Sequence, residues 1–502
     1  YAKSIIAYGY PKVHYGKNIL NVAETKDPNL GVKRTNDAWI YISSWGSYYF
    51  AVPFVKIADN FSDIYLKTAL LRVSFAFFGF LGVLIFVYVG SLFFDNKIKK
   101  LLFANFFLIF EILSIPLILH IRQVRHYPIT IFLVSLIFLL LVKKLVFQTG
   151  INSLIYNFSL FILLFLLMNV YFPAFVSVLL FICLIASLKF IIYSRRVDVV
   201  RENIFIFLII LILFPYFSFF EFFKISSIIS SQFGYDLSRF IFNLKTALYF
   251  FVTSEYFLLV LILFLVLIFF VYKNRNLFKD KLVIVSMGIF LYLLLSLMVC
   301  SRIPYFFERY YIFLQPFVIL LFLFLSFKLY DFLNQGKNRN KTLFYFYFLF
   351  LGIVINIVFK FENIKGYIYE LANPYRGPMD YLVSYILANY RNPESLVIAT
   401  NYEEYVLMYY LNSKVIVGYV GNNLKEDLKA RPDIVVIRKN RPNFVPELKS
   451  FLEKGKYKEV IFNVYDYQVN NIPETTLSLK HLFKLPPPRD DSEKLSIFTY
   501  KE

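Results

Sequence analysis

Long uncharged apolar segments recur in this chain up to about Lys360, and they constrain its fold more than any other feature. The stretch from Ile204 to Phe214, for example, carries no charged residue. A helix that crosses the hydrocarbon core of a bilayer needs about 20 mostly apolar residues. Hydrophobic residues make up 59% of the chain, above the share that is usual for soluble domains. The sequence therefore predicts a polytopic α-helical membrane protein.

About ten of these segments are predicted to span the membrane. They lie near residues 72–94, 101–120, 128–142, 151–168, 171–193, 203–220, 255–272, 282–300, 310–328 and 342–360. The segment 128–142 is short for a span, but Lys143 and Lys144 at its end can snorkel to the interface. Because the chain starts at Tyr1 rather than at Met, we expect one more span upstream of it.

The loops between these segments alternate between a basic set and a set that is poorer in lysine and richer in aromatic residues. Because lysine and arginine accumulate in loops that stay in the cytoplasm, the basic set is predicted to be cytoplasmic. Residues 1–71 and 361–502 then both lie outside a plasma (inner) membrane. The net charge of +20 follows from these basic loops, so nucleic acid is not predicted as a partner. The basic set contains Lys97, Lys99, Lys100, Lys143, Lys144, Arg195, Arg196, Arg201, Lys273, Arg275, Lys279, Lys281, Lys328, Lys337, Arg339 and Lys341.

The pattern divides the chain into three parts. Residues 1–71 are predicted to form a first extracytoplasmic loop with interfacial helices, residues 72–360 a transmembrane domain, and residues 361–502 an extracytoplasmic soluble α/β domain. In the last part, helical patterns near 378–390 and 402–411 alternate with short apolar runs that are typical of strands. These runs are 395–400, 414–418, 432–437, 458–466 and 495–500.

Two further segments are predicted to lie along the membrane surface. The stretch from Trp45 to Ile57 is apolar and is flanked by tryptophan and tyrosine residues, which anchor chains at the interface. The long segment 221–254 has apolar residues at helical spacing, which predicts amphipathic helices in the interface plane.

Three clusters of polar and aromatic residues lie on the predicted outer side. The first, in residues 1–16 and 37–41, places His14, Tyr15 and Asp37 among glycines and aromatic residues. Such residues can wall a sugar site, but an ordinary interfacial loop has the same composition, and the sequence leaves both interpretations open.

The second cluster is the short loop from His120 to Tyr127. Arg122 and Arg125 are spaced so that both guanidinium groups can face one pocket, and arginine matches phosphate oxygens with two donors at once. Snorkelling to lipid headgroups is the alternative interpretation. His120 and His126 are either metal ligands or simple hydrogen-bonding groups.

The third cluster follows the predicted span 282–300. It contains Arg302, Glu308, Arg309, Tyr310 and Tyr311, ahead of a proline-bearing span. A charge at a helix boundary in a membrane protein is a functional candidate, although a surface ion pair between Glu308 and Arg309 would give the same pattern.

Two other features of the apolar segments bear on chemistry. Glu111 lies inside a predicted span, where a carboxylate needs a partner, and Arg122 is the candidate partner; a packing feature in the outer half of the span is the alternative interpretation. Cys183 and Cys300 also lie in apolar segments, so no disulfide framework is expected.

Three motifs, in their order and sidedness, resemble those of GT-C glycosyltransferases, especially the bacterial set similar to aminoarabinose transferases and protein O-mannosyltransferases. Tyr1-Ala-Lys-Ser-Ile-Ile-Ala-Tyr-Gly-Tyr-Pro11 resembles the stretch after the Asp-Glu pair of their first external loop. Arg122-Gln-Val-Arg-His-Tyr127 resembles their second-loop arginine motif. Glu308-Arg-Tyr-Tyr-Ile-Phe-Leu-Gln-Pro316 resembles their Arg-Tyr motif. The resemblance spans about residues 1–330.

The resemblance implies transfer of a sugar from a polyprenyl-phosphate donor to an extracytoplasmic lipid, glycan or protein, with inversion at the sugar carbon. The catalytic carboxylate would belong to an Asp-Glu pair just before Tyr1, with Asp37 as a weaker substitute. No metal ligand is assigned, and a divalent cation is left open as a cofactor. Arg122, Arg125, Arg302 and Arg309 would bind the lipid phosphate, and His14, Tyr15, His126, Tyr127, Tyr310 and Tyr311 would contact the substrate.

Three other functions are compatible with a polytopic chain. A transporter or flippase of a lipid-linked or small-molecule substrate is the main alternative, but it would favour internal repeats and charges at mid-membrane depth. A surface-polysaccharide polymerase or ligase would lack the long first external loop, and a simple membrane anchor would not need outer arginine clusters.

Overall fold

The computed structural model describes residues 1–12, 17–18, 45–148, 152–193, 237–302, 306–335, 376–400, 403–417, 431–438, 455–466 and 488–500, with isolated positions between 208 and 215, between 347 and 373, and at Leu452. The chain forms two compact units. One unit, Ile42–Gly366, is helical, and we call it the membrane unit. The other combines Tyr1–Tyr41 with Tyr367–Glu502, and we call it the sheet unit.

The described helices follow one another through the chain as α1 (Ala2–Tyr8), α2 (Gly46–Ala58), α3 (Ile64–Ser91), α4 (Lys97–Leu113), α5 (Ile115–Ile121), α6 (His126–Leu141), α7 (Ser153–Val170), α8 (Phe172–Tyr193), α9 (Leu237–Ser254), α10 (Phe257–Lys273), α11 (Lys281–Cys300), α12 (Gln315–Gln335), α13 (Pro378–Asn389) and α14 (Glu404–Tyr410). A π-helical turn, Val142–Val146, extends α6. A 3-10 helix, Glu308–Leu314, runs directly into α12.

Several helices of the membrane unit are long and apolar enough to cross a bilayer. Among the described residues five do so alone: Ile64–Ser91, His126–Val146, Ser153–Val170, Lys281–Cys300 and Glu308–Phe332. Two bent pairs raise this to seven if each pair is one span. These pairs are Lys97–Leu113 with Ile115–Ile121, bent by 77°, and Leu237–Thr253 with Phe257–Lys273, bent by 90°. The predicted spans 203–220 and 342–360 lie largely outside the described residues. The described helices therefore include several with the length and apolar composition that a membrane protein needs, as the apolar segments predicted.

The candidate span Glu308–Phe332, which contains most of α12, lies at the centre of the membrane unit. In its most apolar stretch 83% of the residues are buried, against 22% in the corresponding stretch of α7. Around it, α3 and α6 pack closely at Gly82, where a Cβ atom would come within 2.9 Å of the Phe132 backbone nitrogen. Small residues allow this kind of approach between membrane helices. Phe86 of α3 and Phe317 of α12 then meet edge to face, with their ring centroids 4.8 Å apart.

The sheet unit is built on five strands, β1 (Val397–Thr400), β2 (Lys414–Val417), β3 (Ile434–Val436), β4 (Tyr457–Tyr465) and β5 (Lys494–Tyr500). Their order is β2-β1-β3-β5-β4, with β1 parallel to β2 and β3, and β5 antiparallel to β3 and β4. Ala399, Val435, Ile437 and Leu452 form its buried core. The strands lie where the short apolar runs predicted them.

The beginning of the chain completes this sheet. The side-chain amide of Asn18 donates to the Ser413 carbonyl over 3.1 Å, and the Val415 N–H donates to the Asn18 amide oxygen over 2.5 Å. Asn18 therefore satisfies backbone groups beside the edge strand β2. Lys3 also donates to the Tyr409 carbonyl over 3.3 Å. No sequence pattern indicated that the two ends of the chain form one unit.

Candidate functional site

Two chain segments that were singled out from the sequence come together in the membrane unit. The first, which we call the arginine turn, is residues 122–127, between α5 and α6. It folds tightly because the Arg125 N–H donates to the Gln123 carbonyl over 2.8 Å. The second is the 3-10 helix Glu308–Leu314, which packs against α5 and α6.

Arg309 is the buried cation of the 3-10 helix. Only 8% of the residue is exposed, and its guanidinium carbon lies 4.1 Å from the Phe307 ring centroid and 5.8 Å from the Tyr310 ring centroid. The charges of Arg125 and Arg309 both act on His126 and on Tyr127. Each of the two segments therefore supplies a guanidinium group whose charge acts on the same imidazole and phenol.

Tyr171, between α7 and α8, contacts both segments. Its ring stacks on His126 at a centroid distance of 4.5 Å and an interplanar angle of 17°. Its hydroxyl donates to the Tyr310 carbonyl over 3.1 Å. No local pattern around Tyr171 marks it in the sequence, because it is one more aromatic residue between two apolar segments.

A contact of His120 with Glu308 joins α5, which precedes the arginine turn, to the 3-10 helix. The His120 Nε2 atom lies 3.5 Å from a Glu308 carboxylate oxygen, within ion-pair distance but without hydrogen-bond geometry. The other ring nitrogen, Nδ1, lies 3.0 Å from the Gln123 amide nitrogen. If that amide donates, Nδ1 is the acceptor and the Nε2 proton faces Glu308. Glu308 therefore contacts His120, and the surface pair with Arg309 that the sequence suggested does not form.

Arg309 has no carboxylate within ion-pair distance among the described residues, and its Nε atom has no hydrogen-bond partner there. The Nε2 atom of His126 is likewise buried without a hydrogen bond to a described residue. A buried charge is costly unless it is paired. A guanidinium group with these surroundings is suited to bind an anion, and it can offer a phosphate two parallel donors.

The structure gathers five of the predicted site residues: Arg125, His126, Tyr127, Arg309 and Tyr310. Arg122 lies half-buried in the arginine turn.

The other predicted site residues have different surroundings. The Tyr311 hydroxyl lies 3.3 Å from the Ser301 hydroxyl, and the exposed Arg302 lies over the Phe240 ring at 5.8 Å. His14, Tyr15 and Asp37 lie outside the described residues.

The prediction that Glu111 pairs with Arg122 is not met, because neither Glu111 carboxylate oxygen accepts a hydrogen bond from a described residue. A second carboxyl group, that of Glu255 after α9, acts on it electrostatically. The Ser114 hydroxyl donates to a Glu255 carboxylate oxygen over 3.1 Å. Two buried carboxyl groups therefore lie close enough to interact electrostatically, near the points where the bent pairs α4–α5 and α9–α10 break.

Within the described part of the chain, no three His, Cys, Asp or Glu side chains are grouped so as to hold a metal ion. Comparison of the chain with protein-family models and with curated proteins yields no match.

Proposed function

We propose that this protein is a GT-C-type glycosyltransferase that moves a sugar from a polyprenyl-phosphate donor to an extracytoplasmic acceptor. The observation that carries the proposal is Arg309, a buried guanidinium with no carboxylate partner among the described residues, beside a second arginine and an imidazole. A lipid-borne phosphate would supply the missing negative charge. It would also explain why the cation lies in a membrane protein next to apolar helices.

In the proposed reaction, the acceptor oxygen or nitrogen attacks the anomeric carbon and the bond from that carbon to the phosphate oxygen breaks. The phosphate leaves with the electron pair, and Arg309, Arg125 and Arg122 stabilise its developing charge. A carboxylate takes the proton of the acceptor as general base. Attack from the face opposite the phosphate inverts the sugar carbon.

The proposed topology has ten spans, with both chain ends outside the plasma membrane. The contacts of Lys17 and Asn18 with Glu394 and Ser413 support it, because residues in direct contact lie on the same side of a membrane. An even number of spans must then separate these two parts of the chain. The seven candidate spans, with α8 and the predicted segments 203–220 and 342–360, make ten.

A transporter or flippase is the second candidate. The buried pair of Glu111 and Glu255 at two helix breaks favours it, because broken helices with buried carboxyl groups are typical of ion-coupled transport sites. A liposome assay of donor movement between leaflets separates the two candidates, since a transferase needs an acceptor and a flippase does not.

Sugar transfer in proteoliposomes with polyprenyl-phosphate donors tests the main proposal. We expect Arg309→Gln to lower kcat by about 10²- to 10³-fold, the usual loss when a donor to developing charge is removed. Lys273→Gln, which removes one positive charge at the far end of α10, is the matched control and should retain activity. Equal turnover of Arg309→Gln and wild type would refute the assignment. Labelling of Val124→Cys, at an exposed position of the arginine turn, with an impermeant reagent tests the sidedness.

A further inference from the structure

We infer that Tyr171 is a positioning residue that holds the arginine turn and the 3-10 helix at the separation that a phosphate group requires. The inference rests on the proposed function, and it assigns a role to a residue that lies in neither segment. Tyr171 would act through His126 and Tyr310 rather than by touching the sugar donor.

The contacts of Tyr171 fix both of its ends. Its backbone N–H donates to the Leu167 carbonyl over 2.7 Å, which ties the residue to the last turn of α7. Its ring is held between the parallel ring of His126 and the edge-on ring of Phe313, whose centroid is 5.9 Å away. With only 8% of the residue exposed, this ring has little freedom to move. Tyr171 is thus a rigid spacer between the two segments.

The hydroxyl of Tyr171 has an electrostatic role as well. The carbonyl oxygen of Tyr310 carries partial negative charge and lies one residue from Arg309, so it would repel an anion bound there. By donating to this oxygen over 3.1 Å, the hydroxyl offsets its charge and orients the peptide. The carbonyl is therefore occupied before a phosphate arrives.

Stacking on His126 fixes the arginine turn in a similar way. The ring plane of His126 lies within 17° of the Tyr171 ring plane, so the imidazole cannot rotate without losing the stack. His126 begins α6 and follows Arg125 directly, which means that this stack also fixes the start of the arginine turn. Displacements of about 1 Å at a reacting centre can cost as much as 10²-fold in rate.

Three variants of the full-length protein in proteoliposomes separate the two contacts of Tyr171. Tyr171→Phe keeps the stack and loses the hydroxyl, and Tyr171→Leu loses both. Tyr292→Phe is the matched control, because it removes the hydroxyl of another buried tyrosine, whose ring packs on Phe181 and Phe317. The measurements are kcat and KM for the sugar donor, the affinity for polyprenyl phosphate, and the melting temperature.

We expect Tyr171→Phe to lower kcat by about 3- to 10-fold, the range for one lost hydrogen bond, with KM changed less than about twofold. Tyr171→Leu should lower kcat at least tenfold more than Tyr171→Phe does, and it should also lower the affinity for polyprenyl phosphate. A purely structural role would lower the melting temperature and leave kcat per folded molecule at the value of Tyr292→Phe, which would overturn the inference. If wild type and Tyr292→Phe neither transfer sugar nor bind polyprenyl phosphate, the proposed function fails. If both are active and Tyr171→Phe equals them, only the positioning role fails.

Discussion

The two units of this protein each bury an arginine, and the two arginines differ in whether a described carboxylate pairs with the guanidinium group. In the sheet unit, Arg438 is fully buried and pairs with two carboxylates, those of Glu403 and Asp466. Its Nε atom donates to Asp466 over 2.6 Å. In the membrane unit, Arg309 is nearly as buried but has no carboxylate partner among the described residues.

Under the proposed function, this difference is the one between a structural charge, that of Arg438, and a phosphate-binding charge, that of Arg309. The partners of Arg438 come from the segment after β1 and from the end of β4, so that the three side chains tie together chain segments that are distant in sequence. Buried ion pairs of this kind are not required for stability, but breaking one is costly. Arg309 instead keeps its donors available, which is useful only if a ligand brings the anion.

The largest effect should come from Arg438→Met, which leaves two buried carboxylates without their counterion. We expect the sheet unit to lose about 3–5 kcal/mol of its free energy of unfolding. Hydrogen exchange of the full-length protein, read at the amides of β3 and β5, measures that loss locally.

The matched control is Lys494→Met, which breaks the pair of Lys494 with Asp491, whose side chain is 67% exposed. Exposed pairs contribute little, so its loss should stay below about 1 kcal/mol. Similar losses in the two variants would show that burial does not distinguish these charges.

A smaller and opposite effect is expected for Arg309→Met. Removing a buried cation that has no carboxylate partner among the described residues should leave the melting temperature of the membrane unit unchanged or slightly higher. The variant should lose the stabilisation by polyprenyl phosphate, which for wild type is about 2.7 kcal/mol at a hundredfold excess over Kd. Thermal unfolding with and without the lipid phosphate measures both quantities. A strong destabilisation of the lipid-free protein would instead place Arg309 in the same class as Arg438.

The smallest effect concerns Tyr457 in the sheet unit. Burial, together with the nearby Tyr500 and Asp433, raises the pKa of Tyr457 to about 12, while Arg431 acts in the opposite direction. Its hydroxyl donates to the Pro432 carbonyl over 2.8 Å, a hydrogen bond that only the protonated form can make. Because the unfolded chain releases this proton near its ordinary pKa of about 10, the stabilisation is intact below pH 10 and is lost as the pH rises towards 12.

Thermal unfolding at several pH values between 9 and 12 tests whether the stabilisation by Tyr457 falls as the pH rises. Tyr457→Phe, which cannot ionise, should be less stable than wild type at pH 9 and should approach it as the pH rises. Tyr381→Phe, at a 40% exposed position of the same unit, is the control and should keep a constant difference from wild type. A constant difference for Tyr457→Phe as well would exclude the proposed proton linkage.

Local patterns in the sequence determined a large part of the architecture. Runs of apolar residues predicted the helices of the membrane unit, and short apolar runs between helical patterns predicted β1 to β5. The clusters His120–Tyr127 and Arg302–Tyr311 were also visible, because charged and aromatic residues at the ends of apolar segments stand out from their surroundings. These signals are local, since hydrophobic periodicity and charge depend only on residues near one another in the chain.

Only the tertiary structure decided which of these residues meet. It brought Tyr171 between His126 and Tyr310, placed Glu111 beside Glu255 rather than Arg122, and used Asn18 to complete the edge of a sheet formed almost four hundred residues later. Each contact joins parts of the chain that are far apart in sequence, and no periodicity or spacing within one segment specifies its distant neighbour. The contrast between Arg438 and Arg309 has the same origin, because the sequence alone does not distinguish these two arginines, and among the described residues the packing supplies carboxylates to Arg438 alone.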